Sequence, residues 1–200
     1  MAHIENELKF RVEDSGLFAA RLEALGLSSA GSRRERDYFY DFRDGSLRKE
    51  KITLRLRDLG SSGLMTIKGP CLKSRFKRRL EVNGALDDPG AARGLLRSCG
   101  LVERFGKEKI RTEYKYHGAV ICVDRLPFIG EYVEIEGSPA AVTRAAADLG
   151  LDMNTGLKDT YDGLFKIYCL ARKVSFRSMS FAQEKRLSRC LPRARRPATR

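Results

Sequence analysis

Acidic and basic side chains alternate with apolar ones along several segments of this chain of 200 residues. Near its start, Glu5, Glu7 and Lys9 stand two positions apart, and Glu134 and Glu136 repeat the acidic pair much later. Carboxylate pairs supply the oxygen ligands that hard divalent cations take. Rows of arginine and lysine suit phosphate oxygens, arginine through its bidentate guanidinium. These residue types therefore predict a site for a metal–polyphosphate complex.

A solvated face of an ordinary antiparallel sheet would explain any single one of these segments. Like charges two positions apart on one strand face lie within roughly 7 Å of each other and repel, however. Such pairs recur here as Glu-x-Glu, Arg-x-Arg and Lys-x-Arg, which favours a bound counter-charge. The acidic members of the predicted site are Glu5, Glu7, Glu81, Asp124, Glu134 and Glu136. The basic members are Lys9, Arg55, Arg57, Lys68, Lys109, Arg111 and Lys158. A triphosphate with one or two divalent cations would bring this set close to neutrality, and burying it without such a ligand would be costly.

Several other kinds of site are disfavoured by the sequence. The segment GPCLKS at 69–74 lacks the spacing of a Walker A loop, so phosphate must be bound by side chains. The only histidines are His3 and His117, which argues against a zinc site built from histidine and against a His-based catalytic triad. Five cysteines without a CxxC spacing predict a reduced, cytoplasmic protein.

The basic charge is concentrated at the end of the chain. The formal net charge is +13, but residues 172–200 hold ten of the Lys and Arg residues and a single acid, Glu184. This composition predicts a domain over 1–171 and a disordered basic tail over 172–200, with at most a short helix near 180–190. We expect the tail to be dispensable for activity and to contact nucleic acid only weakly. No membrane span or secretory signal is expected.

The hydrophobic pattern predicts both strands and helices. Period-2 segments predict eight strands at 4–12, 36–42, 50–58, 63–69, 75–83, 107–116, 118–125 and 130–136. Short turns between most of them indicate hairpins, and hence an antiparallel sheet that can close on itself. Capping signals predict helices that begin at Asp14 or Ser15, at Asp88, at Ser138, and near Asp159 or Thr160. The fold class is therefore α+β.

The ordered set of motifs resembles the CYTH superfamily, the triphosphate tunnel metalloenzymes. ENELK at 5–9 matches the ExExK signature of that family. The resemblance extends to about residue 170 through these segments: RDYFYD at 36–41, LRLR at 54–57, TIKGP at 66–70, EKIR at 108–111, VDRLPFIGEYVEIEG at 123–137 and KDTYDGLF at 158–165. It is nearest to the class IV adenylate cyclase branch, and thiamine triphosphatase is a more distant relative.

The resemblance implies an eight-stranded antiparallel β-barrel, the triphosphate tunnel, with helices packed outside. It implies that Lys9, Arg55, Arg57, Lys68, Arg111 and Lys158 bind a small-molecule triphosphate. It also implies that Glu5, Glu7, Glu134 and Glu136, with Asp124 and Glu81, hold Mg²⁺ or Mn²⁺. The predicted catalytic residues are Glu5, Glu7 and Lys9, and the protein is expected to be a monomer or a homodimer.

Two departures from the family pattern leave alternatives open. The R-x-E-x-E pattern expected after KGP matches here only with one acid missing, around Arg79 and Glu81, which leaves the second metal position open. Phe39 stands where triphosphatases often have a tyrosine, which weakens a thiamine-triphosphatase assignment. Attack by a ribose hydroxyl would give cyclic AMP and pyrophosphate, whereas attack by water would hydrolyse the triphosphate. A non-catalytic module that binds polyphosphate or nucleotide is the remaining alternative.

Overall fold

The computed structural model describes residues 2–190, and the statements below concern this part of the chain. The strands are β1 Ala2–Val12, β2 Ser32–Phe42, β3 Thr53–Asp58, β4 Gly63–Leu72, β5 Lys77–Leu86, β6 Leu101–Tyr116, β7 Ala119–Leu126, β8 Gly130–Gly137 and β9 Ser178–Met179. The helices are α1 Ser15–Ala24, α2 Ser46–Lys49, α3 Pro89–Ser98, α4 Pro139–Asp148, α5 Tyr161–Arg172 and α6 Phe181–Cys190. A single 3₁₀ turn occupies Met153–Thr155.

The first eight strands form a closed antiparallel barrel. Their order is β2-β3-β4-β5-β1-β8-β7-β6, and β6 pairs back onto β2 to close the ring. The predicted eight-stranded α+β barrel is thus confirmed. β3 begins at Thr53 rather than near residue 50, because α2 precedes it. The carboxylate of Asp41 fixes that helix by accepting hydrogen bonds from the backbone N–H groups of Leu47 and Arg48.

Side-chain caps start the longer helices where the sequence predicts them. Asp14, Asp88, Ser138 and Thr160 each accept a hydrogen bond from a backbone N–H in the first turn of α1, α3, α4 and α5. Such caps satisfy donors that would otherwise lack a partner at the start of a helix. No helix among the described residues has the length and apolar character required to span a membrane.

The apolar cores lie between the barrel and its helices, and the barrel interior is polar. The largest core packs α1 and α4 against β1, β7 and β8 around Leu8, Phe10 and Val133. A second core lies under α5 around Phe165, and a third under α2 and α3 around Leu56. Because successive side chains on a strand point to opposite faces, the same alternation that buries these residues directs the charged ones inward.

The segment after α5 is ordered, where a disordered tail was expected from residue 172, and its helix α6 is the short helix predicted near 180–190. β9 pairs in parallel with β6 next to Gly106 and Lys107, and α6 follows it. Met179 is fully buried in the core under α5, where Phe128 and Phe176 also pack. The basic composition masked these few apolar residues, which are enough to hold the segment on the barrel. The remainder of the predicted tail, 191–200, lies outside the described residues.

Replacement of Met179 by alanine should destabilise the protein. Removing a fully buried methionine side chain leaves a cavity, so the free energy of unfolding should fall by about 2–5 kcal/mol. Ile167→Ala on α5 is the matched control, because this side chain is 59% exposed and its loss should change stability by less than about 0.5 kcal/mol. Chemical denaturation of both variants measures the difference. Equal, small effects would mean that β9 does not pack on the barrel.

Candidate active site

The barrel encloses a polar cavity of about 320 Å³, called the barrel cavity below. Eleven of the thirteen predicted site residues line it: Glu5, Glu7, Lys9, Arg55, Arg57, Lys68, Glu81, Lys109, Arg111, Glu134 and Glu136. The two that do not are Asp124 and Lys158. The structure therefore gathers residues from six different strands into one site, which the sequence alternation alone could indicate only strand by strand.

Three carboxylates on β1 and β8 converge at one wall of the barrel cavity. Glu7 and Glu136 are directly opposite each other in the β1–β8 register. One carboxylate oxygen from each of Glu5, Glu7 and Glu136 lies within 4.8 Å of the other two. Like charges directly opposite on neighbouring strands are destabilising. A divalent cation with oxygen ligands would relieve this repulsion, so the donor set fits the predicted Mg²⁺ or Mn²⁺.

The three carboxylates differ in how far neighbouring bases compensate their charge. Burial, followed by the neighbouring charge of Glu134, raises the pKa of Glu136 to about 7. Burial and the charge of Glu7 raise the pKa of Glu5. Burial also acts to raise the pKa of Glu7, but the ammonium of Lys9 offsets this and the pKa is lowered. Among the three, Glu136 is thus the carboxylate with the least compensation from bases.

Glu134 belongs to an ion-pair network that holds Lys9. The Lys9 ammonium lies 2.7 Å from Glu7 Oε1 and 2.6 Å from Glu134 Oε1, and Glu134 also pairs with Arg111. Burial acts to lower the pKa of Lys9, but these two carboxylates more than offset it and the pKa is raised. Lys9 is therefore a fixed positive charge between the acidic wall and the bases. Glu134, predicted as a metal ligand, is placed beside the three converging carboxylates and not among them.

Glu81 is placed in a similar way next to the acidic wall. The Lys68 ammonium bridges Glu5 Oε2 at 2.7 Å and Glu81 Oε2 at 2.5 Å. The side-chain amide of Asn83 donates to Glu81 Oε1 at 2.7 Å. These contacts and the neighbouring cations hold the pKa of Glu81 near 2 despite its burial. Lys68, a predicted phosphate ligand, thus bridges two predicted metal ligands.

The bases of the opposite wall are held by buried acids of β2 and β7. Arg57 makes a bidentate pair with Asp37, at 2.7 and 3.0 Å, and lies 2.8 Å from Glu35. Lys109 contacts Glu35 at 3.3 Å and Asp124 at 3.2 Å. These contacts fix each cation in position before any ligand is bound. Fixed, partly desolvated cations stabilise anionic oxygens more strongly than mobile ones.

Arg55 differs from its neighbours because its charge is poorly compensated. Its guanidinium donates to the hydroxyl of Thr66 at 3.0 Å, and Asp37 is 3.8 Å away. Burial and the neighbouring charge of Arg57 lower the pKa of Arg55. A buried guanidinium with so little counter-charge is well suited to receive a phosphate group.

Asp124 and Lys158 are the two predicted site residues that the structure places elsewhere. Asp124 is fully buried behind the bases, where it pairs with Arg111 at 2.6 Å and accepts a hydrogen bond from Tyr161 Oη at 2.9 Å. Lys158 is exposed and donates to the backbone carbonyl of Ser74 at 2.7 Å. The segment before Lys158 is fixed against β1, because Leu157 exchanges backbone hydrogen bonds with Lys9.

Several charged or polar residues of the site were not predicted as members of it. Arg33, Asp37, Lys77, Arg79, Lys107, Glu113, Tyr161 and Asp162 also line the barrel cavity, and Glu35 lies directly behind it. Glu35 and Asp37 can be identified from the strand register. In the β2–β6 pairing, Glu35 is opposite Lys109 and Asp37 is opposite Lys107. Burial and the adjacent Asp124 carboxylate raise the pKa of Tyr161, so its phenol remains a donor.

The charges of the site balance almost completely. Ten basic side chains line the barrel cavity: Lys9, Arg33, Arg55, Arg57, Lys68, Lys77, Arg79, Lys107, Lys109 and Arg111. Eight acidic ones accompany them: Glu5, Glu7, Asp37, Glu81, Glu113, Glu134, Glu136 and Asp162. Glu35 and Asp124, in contact with these bases, cancel the remaining excess. The site therefore offers local positive charge to phosphates but little net charge, unless a cation is added.

Comparison with known proteins gives a consistent family match. The model of the CYTH domain family matches residues 3–161. The MJ0240 protein of Methanocaldococcus jannaschii is 27% identical to this chain over 135 residues. Its name provisionally assigns it as an adenylate cyclase. The match covers 68% of this chain and 77% of that protein.

Solved structures show the same fold. A provisionally named adenylate cyclase from Vibrio parahaemolyticus superposes with a TM-score of 0.70 at 20% identity, over 83% of this chain and 99% of its own. The PH1012 protein of Pyrococcus horikoshii gives a TM-score of 0.66 at 22% identity, over 78% of this chain and 96% of its own. HpAC1 from Hippeastrum gives a TM-score of 0.62 at 15% identity, over 84% of this chain and 96% of its own. Its description as an adenylyl cyclase is also provisional, and it is reported to have a dominant triphosphatase activity.

Proposed function

Because this chain belongs to the CYTH domain family, we propose that it is an enzyme that acts on the triphosphate of a nucleotide with a divalent metal ion. The proposed reaction is that of a class IV adenylate cyclase, which converts ATP to cyclic AMP and pyrophosphate. One observation carries the proposal: Glu5, Glu7 and Glu136 converge within one barrel cavity that also holds the poorly compensated Arg55. The provisional cyclase name of the archaeal relative supports the same reading.

Different residues of the barrel cavity have different roles in the proposed reaction. Glu5, Glu7 and Glu136 would hold Mg²⁺ or Mn²⁺, which supplies Lewis-acid neutralisation of phosphate charge. Arg55 and Lys9 bind phosphate oxygens and stabilise the charge that develops as the phosphoryl bond breaks. Glu5 and Glu7 remain the candidates to accept the proton of the attacking hydroxyl. Because both walls are fixed by ion pairs, little reorganisation accompanies the reaction.

The nearly balanced charge of the barrel cavity has a consequence for binding. A free triphosphate would meet as many acids as bases, so it gains little from the site as a whole. A triphosphate with a divalent cation places its own positive charge against the acidic wall. We therefore propose that the substrate is the metal complex and that free triphosphate binds weakly.

Hydrolysis of the triphosphate is the second candidate function. It is favoured by the dominant triphosphatase activity reported for the Hippeastrum protein, which shares this fold. Water would then replace the ribose hydroxyl as nucleophile, with the same residues around the phosphates. Phe39, in place of the tyrosine that triphosphatases often have, weakens an assignment as a thiamine triphosphatase.

A substrate panel with product analysis tests the proposal. We expect turnover of ATP with Mg²⁺ or Mn²⁺ to give cyclic AMP and pyrophosphate, and turnover to stop in excess chelator and return with added metal. Release of phosphate from ATP, thiamine triphosphate or tripolyphosphate would instead establish the hydrolase. Tight binding of all three without any product would contradict both and establish a binding module.

A further inference from the structure

A second cavity, called the side cavity below, lies next to the barrel cavity. It has a volume of about 540 Å³, within the range of roughly 300–1,000 Å³ that small-molecule sites occupy. Phe39, Thr53 and Asp162 line both cavities. The two spaces are therefore adjacent, with these three side chains between them. None of the predicted site residues lines the side cavity.

The shared residues connect the side cavity to the phosphate-binding side chains. Phe39 is directly opposite Arg55 in the β2–β3 register, and Asp162 accepts a hydrogen bond from Lys107 at 2.9 Å. Thr53 is opposite Lys68 in the β3–β4 register. A group attached to the end of a triphosphate held by these cations would therefore reach the side cavity past Phe39 and Thr53.

The walls of the side cavity suit a planar aromatic group. The rings of Phe39 and Phe105 lie 6.4 Å apart at an angle of 34°, and Ile52 and Leu54 add aliphatic surface. Aromatic rings at such distances and angles accept a further ring by offset or edge contact. Phe105 is held in place by Phe165 of α5, at 6.1 Å.

The polar residues of the side cavity include both donors and acceptors. The carboxylate of Asp41 already accepts hydrogen bonds from three backbone N–H groups, and that of Asp44 accepts one from Ser46. Arg43 and Arg48 line the cavity, and none of the ion pairs found among the described residues includes either of them. Their guanidinium N–H groups remain available to ring nitrogens and hydroxyl oxygens of a ligand.

We propose that the side cavity binds the nucleoside of a nucleoside triphosphate whose phosphates occupy the barrel cavity. The base lies against Phe39 and Phe105, and Arg43 and Arg48 donate to acceptor atoms of the base or ribose. This proposal rests on the function proposed above and adds to it the place where the nucleoside of the substrate is bound. Inorganic tripolyphosphate, which has no organic group, would use the barrel cavity alone.

Calorimetric binding with Mg²⁺ separates the two cavities. The probes are inorganic tripolyphosphate and an ATP analogue with methylene groups in both bridging positions, which is not turned over. Ile52→Trp fills the side cavity and Arg48→Glu reverses a charge in it. Each should weaken binding of the analogue at least tenfold and leave tripolyphosphate binding within twofold. Arg97→Glu on α3 is the matched control, because it makes the same charge change at an exposed position outside both cavities.

The outcomes distinguish failure of this inference from failure of the proposed function. If wild-type protein binds both probes and neither variant weakens the analogue, the side cavity does not hold the nucleoside. Equal losses for both probes in Arg48→Glu, an exposed substitution that leaves the core intact, would also overturn the assignment. If wild-type protein binds neither probe with Mg²⁺, the proposed function itself is wrong.

Discussion

Glu136→Gln should abolish most of the activity and yet stabilise the protein in the absence of metal. The substitution removes one of three carboxylate ligands, so turnover should fall by about 100-fold or more. It also removes a negative charge directly opposite Glu7, and relief of such cross-strand repulsion is worth about 0.2–1 kcal/mol. Activity and metal-free stability should therefore change in opposite directions.

Glu134→Gln is the matched control for this prediction, because the same change is made two residues earlier on β8. Glu134 pairs with Lys9 and Arg111, so its neutralisation should lower the free energy of unfolding by about 1–3 kcal/mol. Urea denaturation in chelator at pH 8, with Mn²⁺ titration of both variants, makes the comparison. At that pH Glu136 is mostly ionised, since its pKa is about 7. A loss of metal-free stability in Glu136→Gln would contradict the assignment of this residue to the metal site.

Arg57→Met should unfold or strongly destabilise the protein, whereas Arg55→Met should fold and lose activity. Arg57 compensates two buried acids, Asp37 and Glu35, and removal of one partner from a buried ion pair costs about 3–5 kcal/mol. Arg55 makes a hydrogen bond to Thr66 and no close ion pair, so its replacement leaves no buried carboxylate without its partner. Its loss should instead lower kcat/KM for the triphosphate by about 10²–10³-fold.

Thermal unfolding and steady-state kinetics on the two variants provide the measurement. The double variant Arg57→Met with Asp37→Asn should recover part of the lost stability, because the uncompensated charge is then smaller. If Arg55→Met proved as unstable as Arg57→Met, the two arginines would share one structural role. The idea that Arg55 is reserved for phosphate would then be untenable.

The inward charged rows were predictable wherever one face of a strand is clearly apolar. In β1, Leu8 and Phe10 define the outer face, so the opposite positions Glu5, Glu7 and Lys9 must point inward. Alternation of this kind fixes both the strand and its phase. The closed ring followed from eight such strands and from the family resemblance.

β2 shows why other parts of the site could not be predicted. In the stretch Ser32–Phe42, polar and aromatic residues occupy both faces of the strand. The pattern therefore does not show which face points into the barrel, and Glu35 and Asp37 could not be assigned to the cavity. Lys158 and Asp124 show a different limit. A motif gives a residue type and a position, but whether it reaches the cavity depends on packing: Leu157 bridges to Lys9, and Asp124 lies behind Arg111.

The three converging carboxylates come from the first and the last strands of the barrel. Glu5 and Glu7 belong to β1, and Glu136 belongs to β8, which pairs with β1 although some 120 residues of chain lie between them. A cation held by both strands would cross-link the two ends of the barrel chain, as a disulfide does for a long loop, and would bind only the closed form. Metal concentration would then set the stability of the folded state as well as the rate of the reaction.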